Sequence, residues 1–477
     1  MPAPTRRLKR EDPMATYSEQ LAAAACSIRL ENVPPEAVRR AVELVLDWLG
    51  NAAAGARSPI GRALTDMASR YGGRGSAHRV ADFSVFDPLT AALVNAGCSH
   101  SLEFDDTHAP TLFHPGSPVI SAALAMAEDG KAGGKDFLAG VFAGYEVSMR
   151  LAACVNPSHY RLWHTTGTIG TFGAAVAACR TANLDPPAVA NAIGLAGTQA
   201  AGLWEVLPHA PSAKNLHPGK AAQGGLLAAL LAKRGIEGPP TILEGARGFF
   251  RAMVPDAPKT EALLEDFGRK WRLLETTTKA YPICGHAMTP VEAALIMKKE
   301  VDPGQLEEIT IFTNSTALRV AGSSNPGSEY QAKFSIPYCA AAALVFGQIT
   351  QKEFGAEAMG DPRVRALMGR IRIQVDEAFD RGFDRGRPAR IEAITKDGRK
   401  VATEASCRRG DPQNPLSHEE IRDKFHGLAG SVWNRETLDA VWSRGDRLTD
   451  IENMETWLAG LPVRPSAAKK TRNRKES

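Results

Sequence analysis

The sequence predicts a mainly α protein, with a large all-α helical domain and an inserted smaller α+β lid domain. Apolar residues recur at helical spacing from about residue 17 to 275, and again from 406 to 462. Between these stretches, at 276–405, short segments alternate apolar and polar residues, as strands do. The two ends, 1–16 and 463–477, are rich in basic residues, and we expect them to be disordered tails.

The helical elements can be placed from their apolar spacing and their boundary residues. Pro34 and Pro35 open a helix at 37–49, and Gly50 ends it. We expect further helices at 117–128, 135–154, 219–233, 417–428, 435–443 and 450–458. The stretch 167–203 is rich in Gly and Ala, which lets packed helices approach closely. Its GTIGTFG sequence has neither the GxGxxG spacing nor a preceding strand, so it predicts no dinucleotide site.

The lid domain is expected to combine a sheet with helices of its own. Strands are predicted at 306–313, 369–375 and 389–406, and the last of these is interrupted by Lys396-Asp397-Gly398. That tripeptide is a hairpin turn signal. Helices are predicted at 289–299 and 335–346.

Composition excludes several classes of protein. The 477 residues carry a net charge of only +4, and no basic helix or aromatic platform accompanies the charge, so we expect no nucleic-acid partner. No uninterrupted apolar run reaches about 18 residues, so we expect no membrane span. The seven cysteines are scattered, which favours a reduced, cytoplasmic protein without a disulfide framework. HExxH and paired CxxC motifs are absent, and we expect neither a metal nor a cofactor.

The side chains best suited to proton transfer are concentrated in one segment, CSHSLEFDDTHAPTLFHPGSPVI, which starts at Cys98. Its candidates are Glu103, Asp105, Asp106, Thr107, His108 and His114. After Pro115-Gly116, Ser117 is expected to cap the next helix. The N-terminus of a helix offers free N–H groups and partial positive charge, which suits an anionic substrate.

Further candidates lie in other polar motifs. They are His164 in WHTTGT, Lys214 and His217 in SAKNLHPG, Lys279 and His286 in KAYPICGH, and Tyr338 in FSIPYC. The lysines would pair with substrate carboxylates, because a buried carboxylate needs a partner. Each candidate also has a plainer explanation as a helix cap, a solvated charge or a core residue. Cys284 is expected to pack rather than to act as a nucleophile.

Several of these motifs together resemble the MmgE/PrpD family, which includes 2-methylcitrate dehydratases, cis-aconitate decarboxylases and iminodisuccinate epimerases. The resemblance covers roughly residues 17–460 in the family's order. Its motifs are HSLEFDDTH with FHPGSPVI, LVLDWLGNAAAG at 44–55, WHTTGTIGTFGAA at 163–175, SAKNLHPGK from 212, KAYPICGH from 279 and AKFSIPYC from 332. It implies the helical domain with a lid, and a homodimer.

The resemblance also implies roles for individual residues. It places His114, His164, His286, Glu103 and Thr107 in a catalytic set. Glu103 stands where the family commonly has Asp, so its carboxylate reaches one methylene further. Substrate binding would fall to Lys214, Asp105, Asp106, His108, His217, Lys279 and Tyr338.

Cations, histidines and acids without a cofactor suit proton abstraction next to a carboxylate of a small di- or tricarboxylic acid. The same groups could serve dehydration, epimerisation or decarboxylation. A dehydratase-type lyase similar to 2-methylcitrate dehydratase is the main prediction, although FDDTH departs from the FNDTW of those enzymes. The alternatives are an epimerase or isomerase and a cis-aconitate-type decarboxylase. A catalytically silent helical binding protein is the alternative outside enzymes.

Overall fold

The computed structural model describes residues 15–206, 211–381 and 387–461. The predicted tails lie outside these residues, apart from Ala15 and Thr16. The structure is 59% helix and 9% strand, which confirms the mainly α class. Its buried apolar side chains form one large cluster from residues 21–273 and 421–461 and another from 283–405. We call these parts the helical body and the α+β insert. The domain boundaries and the action of the insert as a lid stay predictions.

The helical body contains ten helices that precede the insert and two that follow it, among the described residues. They are α1 (Tyr17–Ser27), α2 (Pro35–Gly55), α3 (Pro59–Tyr71), α4 (Pro88–His100), α5 (Gly116–Gly130), α6 (Gly134–Val155), α7 (Thr165–Thr181), α8 (Pro186–Gly197), α9 (Leu216–Ala232), α10 (Phe249–Met253), α18 (His418–Ala429) and α19 (Arg435–Gly445). A short hairpin, β1 (Ala77–His78) with β2 (Val85–Phe86), precedes α4.

Three of these helices start with the same combination of residues. A serine or aspartate accepts a hydrogen bond from the backbone N–H three positions later, and a proline occupies the first turn. The cap satisfies one of the free N–H groups at the helix start, and proline has no N–H to leave unpaired. The capping residues are Ser58 for α3, Asp87 for α4 and Asp185 for α8.

Helix α7 lies at the centre of the body and packs against α5, α6, α8 and α9. The GTIGTFG sequence is part of this helix. At the contact with α9, a Cβ atom added to Gly225 would lie 2.5 Å from the Cβ of Ala174 and 2.5 Å from the carbonyl oxygen of Thr171. Real Cβ atoms do not approach so closely, so the contact requires glycine. The prediction that small residues bring these helices together is confirmed.

The α+β insert has a four-stranded sheet in the order β4-β3-β5-β6. The strands are β3 (Leu306–Thr313), β4 (Ile371–Val375), β5 (Ala389–Thr395) and β6 (Lys400–Ala405). Strand β3 pairs parallel with β4 and antiparallel with β5, and β5 pairs antiparallel with β6, with Ile391 opposite Thr403. Gly398 in the predicted turn between β5 and β6 has a φ of +83°, the conformation that glycine adopts without strain. The predicted hairpin is confirmed.

The helices of the insert cover the sheet. They are α11 (Met288–Glu300), α12 (Ser315–Ala321), α13 (Glu329–Lys333), α14 (Ile336–Phe346), α15 (Ala356–Gly360), α16 (Pro362–Met368) and α17 (Glu377–Arg381). Helix α11 packs against α14 and against β5 and β6. The predicted helices at 289–299 and 335–346 correspond to α11 and α14.

One predicted helix, at 450–458, is wrong. The segment forms two short 3₁₀ turns, Leu448–Asp450 and Met454–Thr456. Its backbone is hydrogen-bonded to the turn between α5 and α6 instead: the N–H of Gly134 donates to the Ile451 carbonyl, and the N–H of Met454 donates to the Ala132 carbonyl. These tertiary hydrogen bonds replace the local ones that the apolar spacing suggested.

Within the described residues, α6 is long and apolar enough to cross a membrane by length and composition. However, 94% of its most apolar window is buried inside the protein. A core helix of this kind passes the same test, so the finding is weak evidence for a membrane span.

The contact between α7 and α9 generates a stability prediction. Gly225→Ala should lower the free energy of unfolding by about 1–3 kcal/mol, because the added methyl group overlaps backbone atoms of α7. Gly427→Ala in α18 is the matched control, since no atom lies within 4 Å of its added Cβ. It should be neutral or stabilising by up to about 1 kcal/mol, because alanine favours helix. Urea unfolding followed by circular dichroism measures both; a Gly225→Ala variant as stable as the parent would contradict the packing.

Candidate active site

The loop between α4 and α5, residues 101–115, holds the acids and histidines singled out in the sequence. Its backbone is irregular: Glu103 has a φ of +56° and Leu112 a φ of +53°. Non-glycine residues rarely adopt this left-handed conformation. The loop also contacts the start of the α+β insert, because Thr107 and Thr277 exchange backbone hydrogen bonds of 3.0 and 2.8 Å. The candidate site therefore lies where the helical body meets the insert.

Glu103 is buried between two lysines. Its carboxylate forms an ion pair with Lys214, and the Nζ atom of Lys279 lies 3.7 Å from its other oxygen. Lys279 also donates a 2.9 Å hydrogen bond to the Glu103 carbonyl. Burial alone would raise the pKa of Glu103, but the two ammonium groups hold this pKa well below its usual value. Both ammonium groups therefore lie within ion-pair distance of one buried carboxylate.

Asp105 holds two histidines in place. One of its oxygens, Oδ2, accepts from Nδ1 of His100 at 2.8 Å, from Nδ1 of His114 at 3.1 Å and from the Ser117 hydroxyl at 3.2 Å. Burial opposes ionisation of Asp105, yet these neighbours hold its pKa well below the usual value. Because Nδ1 of His114 donates to Asp105, its Nε2 carries the lone pair. That tautomer is the one a proton acceptor needs.

Burial lowers the pKa of His114 to about 4, despite the opposing effect of Asp105. The ring is therefore neutral near pH 7. Its side chain is still 15% exposed, more than that of Asp105 or His100. His114 combines a fixed orientation with access to whatever enters the site.

His164 and His217 form a second histidine pair. Their Nδ1 atoms lie 3.0 Å apart, so one ring donates to the other. His164 stands at the start of α7, where its N–H donates to the Gly202 carbonyl at 2.8 Å, and its ring lies 4.5 Å from that of Trp204. Burial, followed by the charge of Lys214, lowers the pKa of His164 well below the usual value. Burial also lowers the pKa of His217 to about 4.

His286 lies at the start of the insert, two residues before α11. The neighbouring Gly285 is close to two guanidinium groups: an added Cβ there would lie 3.2 Å from Nη1 of Arg408 and 3.8 Å from Nη1 of Arg387. Burial, then these arginines, lowers the pKa of His286 well below the usual value. Arg387 also donates a 3.1 Å hydrogen bond to the Ala109 carbonyl of the loop. Arg387 thus links the loop to the part of the insert that contains His286, whose role in the site stays a prediction.

Three other predicted site residues have structural partners. Asp106 accepts from the Gly116 N–H at 3.1 Å and from the Tyr145 hydroxyl at 2.9 Å. Burial and the charge of Asp105 raise the pKa of Asp106 to about 7. His108 contacts the Thr111 hydroxyl at 2.7 Å and a Glu275 carboxylate oxygen at 3.2 Å. Tyr338 donates its hydroxyl to the Glu353 carbonyl inside the insert core. Their predicted contacts with substrate stay predictions.

The prediction that Ser117 caps α5 is wrong. The buried Asp106 carboxylate takes the place of that cap. Helix α5 starts at Gly116, and the Asp106 carboxylate accepts from that N–H. Ser117 is inside the first turn, where its hydroxyl contacts Asp105 and Ser99. An acid ten residues earlier in the chain therefore satisfies the helix start, which local spacing does not indicate.

One hydroxyl group of the loop and one close to Glu103 are buried and have no hydrogen-bond partner among the described residues. One belongs to Thr107, a predicted site residue, and the other to Tyr330, which the sequence analysis missed. Burial, then the charge of Glu103, raises the pKa of Tyr330 well above the usual value. His100 was also missed. Its place at the start of the HSLEFDDTH motif was a signal, but the sequence did not show that its ring contacts Asp105.

His100, Asp105 and His114 place donor atoms within 4.8 Å of one another, as a divalent metal ion requires. The geometry of these three side chains is that of a hydrogen-bonded group rather than of a metal site. Both Nδ1 atoms and the Ser117 hydroxyl point at the same carboxylate oxygen at hydrogen-bond distance, and no described group accepts from Nε2 of His100. Metal-binding histidines normally donate their second nitrogen to a partner. The cluster is better described as one carboxylate that holds two histidines and a serine in place.

Two family profiles match the sequence. The sequence profile of the MmgE/PrpD N-terminal domain matches residues 19–262, and that of the MmgE/PrpD C-terminal domain matches residues 281–443. The chain is 26% identical to a cis-aconitate decarboxylase of Mus musculus over 96% of each chain. It is 27% identical to a cis-aconitate decarboxylase of Aspergillus terreus over 90% of this chain and 92% of the relative.

A 2-methylcitrate dehydratase of Cupriavidus necator is 28% identical, over 41% of this chain and 42% of the relative. The two family profiles together span both the helical body and the α+β insert. The protein belongs to the MmgE/PrpD family.

Proposed function

We propose that this protein is a lyase that decarboxylates a small tricarboxylic acid, with cis-aconitate as the substrate to test first. The observation that carries the choice is coverage: the cis-aconitate decarboxylases align with 90–96% of this chain. The 2-methylcitrate dehydratases align with 41–61% of it. Dehydration, our main expectation from the sequence, becomes the alternative outcome of the same test.

The charge of the site suits a polyanion. Lys214 and Lys279 place two ammonium groups beside the carboxylate of Glu103. A buried carboxylate of the substrate would be paired with these ammonium groups, which avoids the cost of burying an isolated charge. The unpartnered hydroxyl groups of Thr107 and Tyr330 would donate to the same carboxylates.

In cis-aconitate, a CH₂ group that bears a carboxylate adjoins a C=C bond. Cleavage between this carbon and its carboxylate releases CO₂, and the electron pair left behind forms a new C=C bond. The electron pair of the old C=C bond then takes a proton at its far carbon. One proton is consumed for each CO₂ released, so the site needs an acid. Lysines beside the remaining carboxylates would stabilise the negative charge that develops.

We assign the delivery of this proton to His114. Its ring is neutral in the empty site because burial lowers its pKa to about 4. The carboxylates of the substrate would add negative charge next to the ring and raise that pKa, so binding would bring the proton with it. Asp105 keeps Nδ1 occupied, which leaves Nε2 to carry the proton. The homodimer and the cytoplasmic location stay predictions.

His114→Ala should lower kcat on cis-aconitate by about 10²–10⁴-fold, because it removes the proton donor. Proton NMR in D₂O measures the reaction directly: CO₂ loss should place one deuterium on the carbon that is protonated. The matched control is His418→Ala, whose side chain is 42% exposed on α18 and which should leave kcat unchanged.

Other results would change the assignment. New alkene signals from 2-methylcitrate, with no turnover of cis-aconitate, would make the protein a dehydratase. Inertness towards both acids, with His114→Ala binding them like the parent, would favour the silent binding protein.

Binding of a tricarboxylate should take up protons. Propane-1,2,3-tricarboxylate, a saturated analogue, would raise the pKa of His114 from about 4 towards neutrality, so between these values the complex holds more protons than the free protein. We expect uptake of up to about one proton per site at pH 6, and weaker binding as the pH rises.

Calorimetry in two buffers with different ionisation enthalpies measures the uptake, and His114→Ala should reduce it. Proton release, or uptake that His114→Ala leaves unchanged, would contradict the role given to His114.

A further inference from the structure

Three lysines from three elements donate to three consecutive carbonyls of the active-site loop. Lys333 of α13 contacts the Leu102 carbonyl at 3.5 Å, Lys279 contacts that of Glu103 at 2.9 Å, and Lys424 of α18 contacts that of Phe104 at 2.8 Å. These carbonyls flank the residue with the left-handed backbone, Glu103. A strained conformation persists only where its surroundings hold it.

Lys424 is the member of this group that comes from the C-terminal part of the chain. Its side chain is 5% exposed, and its Nζ atom lies 2.6 Å from Oδ1 of Asp47 in α2. The same ammonium group lies 3.9 Å from the centre of the Phe104 ring. Asn51, one turn after Asp47, donates to the Phe104 carbonyl at 3.4 Å. Helices α2 and α18 thus hold both the ring and the backbone of Phe104.

The Phe104 carbonyl belongs to the peptide group that continues into Asp105. Lys279 fixes the peptide group before Phe104, and Lys424 fixes the one after it. The two contacts together set the position of the Asp105 carboxylate, and of His114 bound to it, relative to the Glu103 carboxylate.

We infer that Lys424 is a positioning residue for the active site, which acts through the Phe104 backbone on Glu103 and Asp105 without touching substrate. The activity readout of this inference rests on the proposed decarboxylation. Lysine suits the position because one ammonium group makes all three contacts: the ion pair with Asp47, the carbonyl hydrogen bond and the ring contact. A neutral side chain would leave the buried Asp47 without its ion pair.

A cleft of about 1020 Å³ gives small molecules access to this position. Lys424 and Phe104 line it, together with Leu428 of α18 and with Leu295 and Lys298 of α11. A small alkylammonium ion can therefore enter from this side and occupy the place of a truncated lysine.

The test is Lys424→Ala with and without n-propylammonium chloride. The variant should lose about ten- to one-hundredfold in kcat with KM changed less than about threefold, because small displacements of reacting groups have effects of this size. n-Propylammonium should restore part of the lost kcat, whereas equal sodium chloride should not.

Lys298→Ala is the matched control. Lys298 lines the same cleft and also donates to a backbone carbonyl, that of Val345 at 3.3 Å, but not to the loop. It should keep the parent kcat, with or without n-propylammonium. A Lys424→Ala variant within twofold of the parent kcat would overturn the inference, and so would a loss that n-propylammonium does not relieve.

Hydrogen exchange separates this inference from the proposed function. Amides of residues 101–107 should exchange faster in Lys424→Ala than in the parent, and n-propylammonium should slow them again. This readout decides the matter if the parent has no activity on cis-aconitate. If Lys424→Ala does not fold, the double variant Asp47→Asn with Lys424→Met removes the contacts without leaving a buried charge, and unchanged exchange in it would overturn the inference.

Discussion

The rest of the site depends on the ion pairs between the buried Glu103 carboxylate and two lysines. A carboxylate that is 2% exposed must be paired, and here it is paired with Lys214 from the helical body and Lys279 from the start of the insert. Each lysine is itself nearly inaccessible, so neither charge could remain without the acid. The extra methylene of glutamate brings the charge to both ammonium groups while the backbone stays in its left-handed turn.

Burial then determines the protonation of the histidines. His114, His164 and His217 have their pKa lowered first by loss of water and, for His164 and His217, further by neighbouring charges. In the proposed reaction, Lys214 and Lys279 pair with the carboxylates of the substrate. No permanently protonated histidine is then needed, because the charge of the bound substrate would favour protonation. The arrangement of Asp105 ensures that the proton reaches a defined nitrogen.

The sequence predicted the repetitive parts of the fold well and the directions of the loop side chains poorly. Helical spacing placed the ends of α6 and α14 to within about one residue, because apolar residues at a period of 3.6 indicate a helix and mark the face that it buries. A loop has no such periodicity. The sign of φ at Glu103 decides which way the next residues face, and no composition rule gives that sign for a glutamate. The contact of His100 with Asp105 and the true position of Ser117 could not be predicted for this reason, although the motif that contains them was located correctly.

The same limit applies to residues that act across long separations in the chain. Lys424 reaches the loop from 320 positions away, and Lys279 from 176, so only the folded chain brings them together. Of the three lysine contacts with loop carbonyls, two involve the insert or its first residues, and one involves the helical body alone. The Phe104 carbonyl would thus stay anchored by Lys424 to the body even without the insert, whereas the Glu103 carbonyl has its lysine only when the first residues of the insert are in place. Docking of the α+β insert is therefore a condition for the acid, the lysines and the histidines to form one site.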